Sequence, residues 1–398
     1  MRPFLWVWLG YTAVLLTVAL AVWLPSGLYM EMDFRSVYAA GVLARTDPSH
    51  LYDLTRQKQV QDELVSKRPQ SIPFGHLAYD ALLYVPLSLL KYREAYLLML
   101  VANAVLIVLC FFAARKEFSV TIPMWQPRPG LIFFTFMPTT IALAQGQDSM
   151  VLLLVLCLGW RLLDRSQPFA AGLVLANMLL KPHLALILAL LIAVRFGWRF
   201  VAGFAAGTVA VLTICLPVLL HGGLKSWLGV ISGLSLAGGH NEAQEAAMGI
   251  YSWAMPNLRG ALLLTLGPMV SAHLLFGVVC LVSLSLLVWG LTVVRGLTGP
   301  TAIGLSIIVT DLVSYNFEPH DLVMLLPAMV FLGSAVGGAM ARCRDVILGL
   351  PIVLLIFAPP TPPGAGFTLM CLPLLAGAFL LGRRGWGQHP GAGGASAA

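Results

Sequence analysis

The residues that could carry chemistry fall in five short polar stretches, each beside a long apolar segment. They contain carboxylates that can accept a proton, imidazoles that can transfer one, and a lysine that can bind an anion. The five stretches are Asp33-Phe34-Arg35, Gly75-His76 with Tyr79-Asp80, Gln145-Gly146-Gln147-Asp148, Leu180-Lys181-Pro182-His183, and Phe317-Glu318-Pro319-His320-Asp321. Their shared position, where apolar segments meet water, predicts polar chemistry at one face of a membrane.

Asp33 suits two roles. A carboxylate at a membrane interface is partly desolvated, which raises its proton affinity and favours a general base that takes a proton from an attacking hydroxyl. An aspartate just before an amphipathic helix is also a good N-cap. Spacing alone leaves both roles open.

Lys181 lies between two short apolar segments and is followed by Pro182, a residue favoured at the start of a helix. A lysine there either extends to lipid headgroups or binds an anion, such as a phosphate that arrives laterally from the bilayer. His183 either assists with the same anion or simply lies in the interface.

Two further stretches also have alternative readings. His320 is a candidate proton carrier or phosphate ligand, whereas Asp321 beside it is a candidate helix cap. The turn that contains Gln147 is either structural or a polar wall of the site.

Composition defines the class of protein. The chain has 398 residues, of which 59% are hydrophobic and 10% charged, and its mean hydropathy is +0.87. These values exclude a soluble domain and indicate an all-α polytopic membrane protein.

Charge and cysteine content exclude other classes. The net charge of +7 comes from basic residues at the ends of apolar segments, which indicates membrane topology and no nucleic-acid partner. The six cysteines lack CxxC spacing, so we expect free thiols and no metal. The sequence contains no GxGxxG, P-loop or HExxH motif.

Residues 1–382 are predicted to form one membrane domain with about twelve transmembrane helices. The candidate spans are 5–24, 95–114, 131–144, 151–163, 169–180, 184–194, 200–220, 269–294, 302–313, 322–340, 346–357 and 367–381. A cytoplasmic N-terminus places the short-loop arginines inside, as topology requires. Residues 383–398 are predicted to be a disordered cytoplasmic tail.

Two outer loops are predicted, at 25–94 and 221–260. In the first, the spacing of Phe34, Val37, Tyr38, Gly41 and Val42 predicts an amphipathic helix lying at the headgroups. A second helical stretch covers 52–68. The segment 73–90 is interrupted by a charge and a proline and is predicted not to cross the membrane.

An ordered series of motifs resembles the polyprenol-phosphate-sugar-dependent glycosyltransferases of family 87, which have the GT-C membrane fold. The series is Asp33-Phe34 to Tyr38-Ala39-Ala40, Leu51-Tyr52-Asp53, Pro73-Phe74, Gly146-Gln147, Leu180-Lys181-Pro182, and His320-Asp321-Leu322 with Leu325-Leu326-Pro327. The chain differs from the family pattern at Gly75-His76-Leu77-Ala78, where Tyr-Pro-Pro is frequent, and at Asp148, where asparagine is usual.

The resemblance implies an enzyme of a bacterial-type inner (plasma) membrane with its active site facing the periplasm. It would transfer a hexose, often mannose, from a polyprenyl-phosphate carrier to a hydroxyl of a glycan or glycolipid acceptor. Asp33 would be the base. The lipid-linked donor would be a co-substrate, with no other cofactor.

The predicted site therefore consists of two sets of residues. The catalytic set is Asp33 and His320. The substrate-binding set is Arg35, Tyr38, His76, Gln147, Lys181, His183 and Asp321, among which Lys181, with Arg35 behind it, would join His320 in offsetting the charge of the departing phosphate. The competing interpretation is a transporter or flippase of lipid-linked sugars, which we disfavour because the charges gather at one face.

Overall fold

The computed structural model describes residues 2–28, 33–68, 71–114, 134–237, 254–335, 343, 347 and 368–386. Every regular element in this part of the chain is helical, which confirms the all-α prediction there. The predicted span at 346–357 lies outside the described residues, apart from residue 347. So do most of the predicted tail and residues 238–253 of the second outer loop.

The helices follow one another with short connections. They are α1 (Arg2–Val18), α2 (Leu24–Leu28), α3 (Phe34–Thr46), α4 (Leu54–Leu64), α5 (Ala78–Tyr84), α6 (Tyr92–Ala114), α7 (Met137–Gln145), α8 (Ser149–Asp164), α9 (Pro168–Leu175), α10 (Pro182–Phe196), α11 (Trp198–Val218), α12 (Leu224–Ala237), α13 (Leu258–Leu266), α14 (Ala272–Val294), α15 (Gly299–Val313), α16 (Leu325–Ala335) and α17 (Cys371–Trp386). Short 3₁₀ turns include Ala176–Leu180 and Pro319–Met324, and π-helical turns join α1 to α2 and α11 to α12.

Three helices, α6, α11 and α14, are long and apolar enough to cross a membrane. Their 21 to 23 residues correspond to roughly 32–35 Å of helix, enough for a hydrocarbon core of about 30 Å. Several other apolar helices are shorter. The chain is a multi-pass membrane protein, and the total of twelve spans stays a prediction.

The centre of the bundle is α15, where every residue from Thr301 to Leu312 is buried. A helix that is apolar on all sides is stable when neighbouring helices cover it. Here α10, α14, α16 and α17 pack around α15. This enclosure explains how a 15-residue helix fits in a membrane protein, since protein rather than lipid covers it.

The first outer loop folds into the protein. The predicted amphipathic helix exists as α3, but all residues from Phe34 to Leu43 are buried, so the interpretation of a helix lying at the headgroups is wrong. Phe34 packs against the rings of Tyr84, Tyr92 and Tyr96. Aromatic contacts on several sides favour enclosure over a half-exposed position.

The segment 73–90 contains α5, a helix of seven residues, which is roughly 10 Å long and too short to cross a bilayer. It lies against α3 instead. A Cβ added at Gly41 would be 2.6 Å from the carbonyl oxygen of Tyr84, so glycine allows the two helices to approach closely. This contact brings the stretch around His76 to the beginning of α3.

Polar and basic residues lie at opposite ends of the bundle. Helix α10 begins after Lys181, and near its other end the Arg195 Nε donates to the carbonyl oxygen of Leu297, just before α15. Helix α15 returns toward Glu318. The two ends are therefore separated by a helix length of roughly 22 Å. The orientation of this bundle in a membrane stays a prediction.

Candidate active site

A cavity of about 290 Å³ lies where the five polar stretches meet. The lining includes all the predicted site residues except Arg35 and Tyr38, namely Asp33, His76, Gln147, Lys181, His183, His320 and Asp321. These residues come from the start of α3, the segment before α5, the turn before α8, the start of α10 and the turn after α15. The sequence stretches thus form one site.

Asp33 precedes α3, but its side chain forms no capping hydrogen bond. Its Oδ2 instead accepts a hydrogen bond of 2.7 Å from Nε2 of Gln147. The carboxylate is therefore directed across the cavity wall and is not used in the first turn of its own helix. Of the two roles that spacing left open, this geometry favours the polar site.

The turn at Gly146 places Gln147 beside Asp33. Gly146 ends α7 with φ 64° and ψ 33°, a left-handed conformation that suits glycine. A Cβ at this position would be 2.9 Å from the Cβ of Phe34. The backbone of the turn therefore touches the first residue of α3, which aligns Gln147 with Asp33.

Lys181 is only 4% exposed, so its ammonium does not extend to lipid headgroups. Its Nζ donates to Asp321 Oδ1 at 2.6 Å and lies 3.6 Å from Asp148 Oδ1. Burial alone lowers the pKa of Lys181, and the two carboxylates more than offset this, so the net pKa is raised. Lys181 is a fixed positive charge within the site.

His320 also contacts Lys181, with Nε2 3.1 Å from Nζ. An ammonium has donors but no acceptor, so Nε2 must accept this hydrogen bond. We therefore assign the neutral tautomer with the proton on Nδ1. Nδ1 is buried, has no hydrogen-bond partner among the described residues and lies 3.6 Å from Glu318 Oε2. This geometry leaves one N–H donor on His320 unused.

Asp321 holds the lysine in place. Its Oδ1 accepts from Lys181 and from Ser149 Oγ, the latter at 2.9 Å. Its Oδ2 lies 3.4 Å from the backbone nitrogen of Glu318 and accepts a long hydrogen bond there. Asp321 therefore combines the predicted capping role with an ion pair that fixes Lys181.

A second cluster surrounds His76. Its Nδ1 lies 2.5 Å from Asp80 Oδ2 and 3.5 Å from Asp148 Oδ2. Burial raises the pKa of Asp80 and the contact with His76 lowers it again, to about 6, so this carboxylate is charged at neutral pH. Burial lowers the pKa of His76, but Asp80 and Asp148 raise it by more.

Arg35 and Tyr38 lie away from the cavity. Arg35 donates to Gln61 Oε1 and Asp62 Oδ1, both at 3.0 Å, and so joins α3 to α4. The Tyr38 hydroxyl donates to the carbonyl oxygen of Leu90 at 2.9 Å. These contacts give both side chains a place in the fold, and we do not carry them forward as substrate-binding residues.

His183 does line the cavity, and its Nε2 has no hydrogen-bond partner in the part of the chain that the structure describes. It faces the same space as Lys181. Its predicted contact with the substrate stays a prediction.

The site also contains residues outside the predicted set. They are Glu318, Asp80, Asp148, Asn316 and Trp227. The first three belong to the polar stretches, so the sequence signal was available although no role was assigned to them. Trp227 lies on α12, within the predicted second outer loop, and its Nε1 donates to the carbonyl oxygen of Gly75 at 3.0 Å.

Glu318 is near Asp33 and His320, with one donor atom of each residue within 4.8 Å of the others. Burial, followed by the charge of Asp33, raises the pKa of Glu318. Two carboxylates and an imidazole resemble a ligand set for a divalent cation. However, Nε2 of His320 is occupied by Lys181 and Nδ1 then carries a proton, so the ring has no free ligand atom. The expectation of no metal stays a prediction.

The comparison with known families agrees with this site. The sequence model of glycosyltransferase family 87 matches residues 80–315, more than half of the chain. The chain therefore belongs to glycosyltransferase family 87 and is a membrane glycosyltransferase, which confirms the resemblance. Gln147, Lys181 and His183 lie within the matched range, and the cavity joins them to Asp33 and His320, which lie outside it. Searches of curated proteins and of solved structures found no match.

Proposed function

We propose that this glycosyltransferase moves a hexose, with mannose as the first candidate, from a polyprenyl-phosphate donor to an acceptor hydroxyl of a glycan or glycolipid. The proposed location is the periplasmic face of a bacterial-type plasma membrane, in a GT-C-type bundle. The observation that carries the proposal is that Asp33 and the Lys181–His320 pair line one cavity. A base and a phosphate-binding group are the two functions that the transfer requires.

Asp33 is the proposed base. As the acceptor oxygen forms its bond to the anomeric carbon, its proton passes to the carboxylate of Asp33. Gln147 holds Oδ2 at 2.7 Å, which fixes the carboxylate while Oδ1 remains available. Fixing a reacting group in this way reduces the entropy cost of reaching the transition state.

His320 and Lys181 are the proposed partners of the leaving group. As the bond between the anomeric carbon and the phosphate oxygen breaks, that oxygen gains negative charge. The Nδ1–H of His320 is the available donor, and the ammonium of Lys181 polarises the ring from behind at 3.1 Å. Donors fixed where charge develops are the main source of electrostatic catalysis.

The lining of the cavity suits a lipid-linked donor. One wall consists of Val37, Ile72, Trp227 and Ile231, opposite the charged residues. A polar head group attached to an apolar chain fits such a divided surface. We infer that the polyprenyl chain lies along the apolar wall while the sugar phosphate faces His320.

One observation favours the alternative, transport of lipid-linked sugars. Asp311 is fully buried in α15, and neither of its carboxylate oxygens has a hydrogen-bond partner among the described residues. Carboxylates at such positions often belong to transport pathways. Asp311 does not line the cavity, and we therefore favour the enzyme.

The test uses the purified full chain in lipid nanodiscs with a panel of radiolabelled polyprenyl-phosphate hexoses and a mixture of glycolipid acceptors from membranes. We expect the label to move from one donor to a glycan or glycolipid product. A parallel measurement follows labelled donor across the bilayer of reconstituted vesicles. Transbilayer movement without a glycosylated product would contradict the proposal and support transport.

A further inference from the structure

We propose that Asp80 and Asp148 hold His76 as an imidazolium, and that this ring makes a second cationic contact with the donor phosphate. The inference rests on the proposed function, because it identifies a further substrate-contacting residue for the same reaction. In this account His76 touches the phosphate. Asp80 and Asp148 act through His76 and are positioning residues.

The contacts of His76 are directional. Its Nδ1 is 2.5 Å from Asp80 and 3.5 Å from Asp148. Asp80 is completely buried and Asp148 is 1% exposed, whereas the His76 side chain is 27% exposed and lines the cavity. Two buried carboxylates therefore lie behind a ring that reaches the open space.

The buried carboxylates require a cation. An unpaired buried charge is strongly destabilising, and Asp80 Oδ1 has no hydrogen-bond partner among the described residues. Lys181 is already bonded to Asp321 and lies 3.6 Å from Asp148. A protonated His76 supplies the remaining positive charge. Its Nδ1–H is used by Asp80, which leaves Nε2–H for a phosphate oxygen.

The donor phosphate needs this contact because Lys181 has little capacity left. Nζ of Lys181 already reaches Asp321 and His320 at hydrogen-bonding distance. The remaining direct donor from that side is the neutral Nδ1–H of His320. An anion would otherwise enter a cavity lined by the carboxylates of Asp33 and Glu318, which like-charge repulsion disfavours.

Charged and titratable groups face His76 from several elements. They are Asp80 on α5, Asp148 before α8, Lys181 and His183 at the start of α10, and Glu318 after α15. Burial lowers the pKa of His76 and the two aspartates raise it by more, while Lys181 opposes them. The imidazolium is thus present below this raised pKa. The phosphate contact is lost as the pH rises through it.

The experiment measures binding of methyl farnesyl phosphate to the detergent-solubilised full chain between pH 6 and 9. This probe is a phosphodiester with no sugar, so its single negative charge does not change in this range. We expect its Kd to increase about tenfold as His76 loses its proton, the change expected for one charge-assisted hydrogen bond. For His76→Gln, we expect weak binding that does not vary with pH.

Asp80→Asn tests the positioning role. Removing the nearest carboxylate should move the increase in Kd to lower pH by about one pH unit. A matched control is Asp47→Asn, which breaks an exposed aspartate–histidine pair of the same loop, in which His50 Nδ1 is 2.7 Å from Asp47 Oδ1. This control should leave the binding curve unchanged.

Because Asp80 is buried, Asp80→Asn can reduce folding, and His76→Lys provides an independent test. A lysine keeps its charge throughout this range, so binding should no longer depend on pH. Absence of probe binding, or a pH dependence that His76→Gln leaves unchanged, would overturn the inference. Probe binding with the expected pH dependence but no transfer of any hexose would instead contradict the proposed function alone.

Discussion

Lys181 and His320 are separated by 139 positions in the chain, yet Nζ of the lysine lies 3.1 Å from Nε2 of the histidine. The contact determines which ring nitrogen carries the proton, because the ammonium can only donate. It also connects the start of α10 to the turn after α15. The site therefore has a buried cation whose influence reaches the cavity through a neutral imidazole.

Replacing His320 with two amides separates the roles of its nitrogens. Asparagine places its amide nitrogen near Nδ1 and keeps a donor there, whereas glutamine places its amide near Nε2 and keeps only the contact with Lys181. We expect His320→Asn to retain a kcat about tenfold higher than His320→Gln, the difference expected for one hydrogen bond to a charged group. Steady-state transfer assays measure this. The opposite order would contradict the tautomer assignment.

Lys181→Met removes the positive charge beside Asp321. Asp321 is 2% exposed, so the variant leaves a buried, unpaired carboxylate and should lose about 3 kcal/mol of stability. Denaturant unfolding in detergent measures this loss. In Lys181→Met/Asp321→Asn the unpaired charge is absent, so most of the stability should return without the activity. Equal stability of the two variants would contradict the ion pair.

Gly146→Ala tests the turn that aligns Gln147 with Asp33. The left-handed φ of 64° and the short approach to Phe34 both oppose a Cβ, and we expect a loss of about 1–3 kcal/mol. Thermal unfolding measures it. The control is Gly229→Ala in α12, where a Cβ would meet nothing within 4 Å and helix propensity favours alanine. A similar loss in both variants would argue against a special role for Gly146.

Arg35→Met distinguishes a structural arginine from a substrate-binding one. Arg35 is buried and bonded to Gln61 and Asp62, so its loss should lower stability by about 2 kcal/mol and leave the donor KM unchanged. Unfolding and donor titration are measured on the same preparation. Arg56→Met, which removes an exposed partner of Asp47, is the control. A large rise in the donor KM of Arg35→Met alone would return Arg35 to the site.

The sequence predicts the meeting of the polar stretches better than the direction of each side chain. Asp33 and Arg35 belong to one stretch, but residues two apart in a helix point to different sides. The structure accordingly shows Asp33 at the cavity and Arg35 at Asp62. The 3.6-residue pattern predicts α3 itself. It does not reveal that other helices cover the polar face as well.

The role of Lys181 also depended on information that the sequence does not contain. Extension to headgroups and anion binding both fit a lysine between apolar segments. The outcome is determined by Asp321, 140 positions away, and no local pattern specifies such a partner. In the same way, His76 and Asp80 are four residues apart, but Asp148 reaches them only through the packing of α8.

The most direct measurement is the rate of hexose transfer in a single turnover by Asp33→Asn, with purified protein and a polyprenyl-phosphate donor. The control is Asp53→Asn, because Asp53 accepts hydrogen bonds from the backbone of Thr55 and Arg56 and asparagine caps a helix equally well. If Asp33 is the base, its variant should remain folded and lose about 100-fold or more in rate, while the control matches the wild type. A wild-type rate in folded Asp33→Asn would contradict the account.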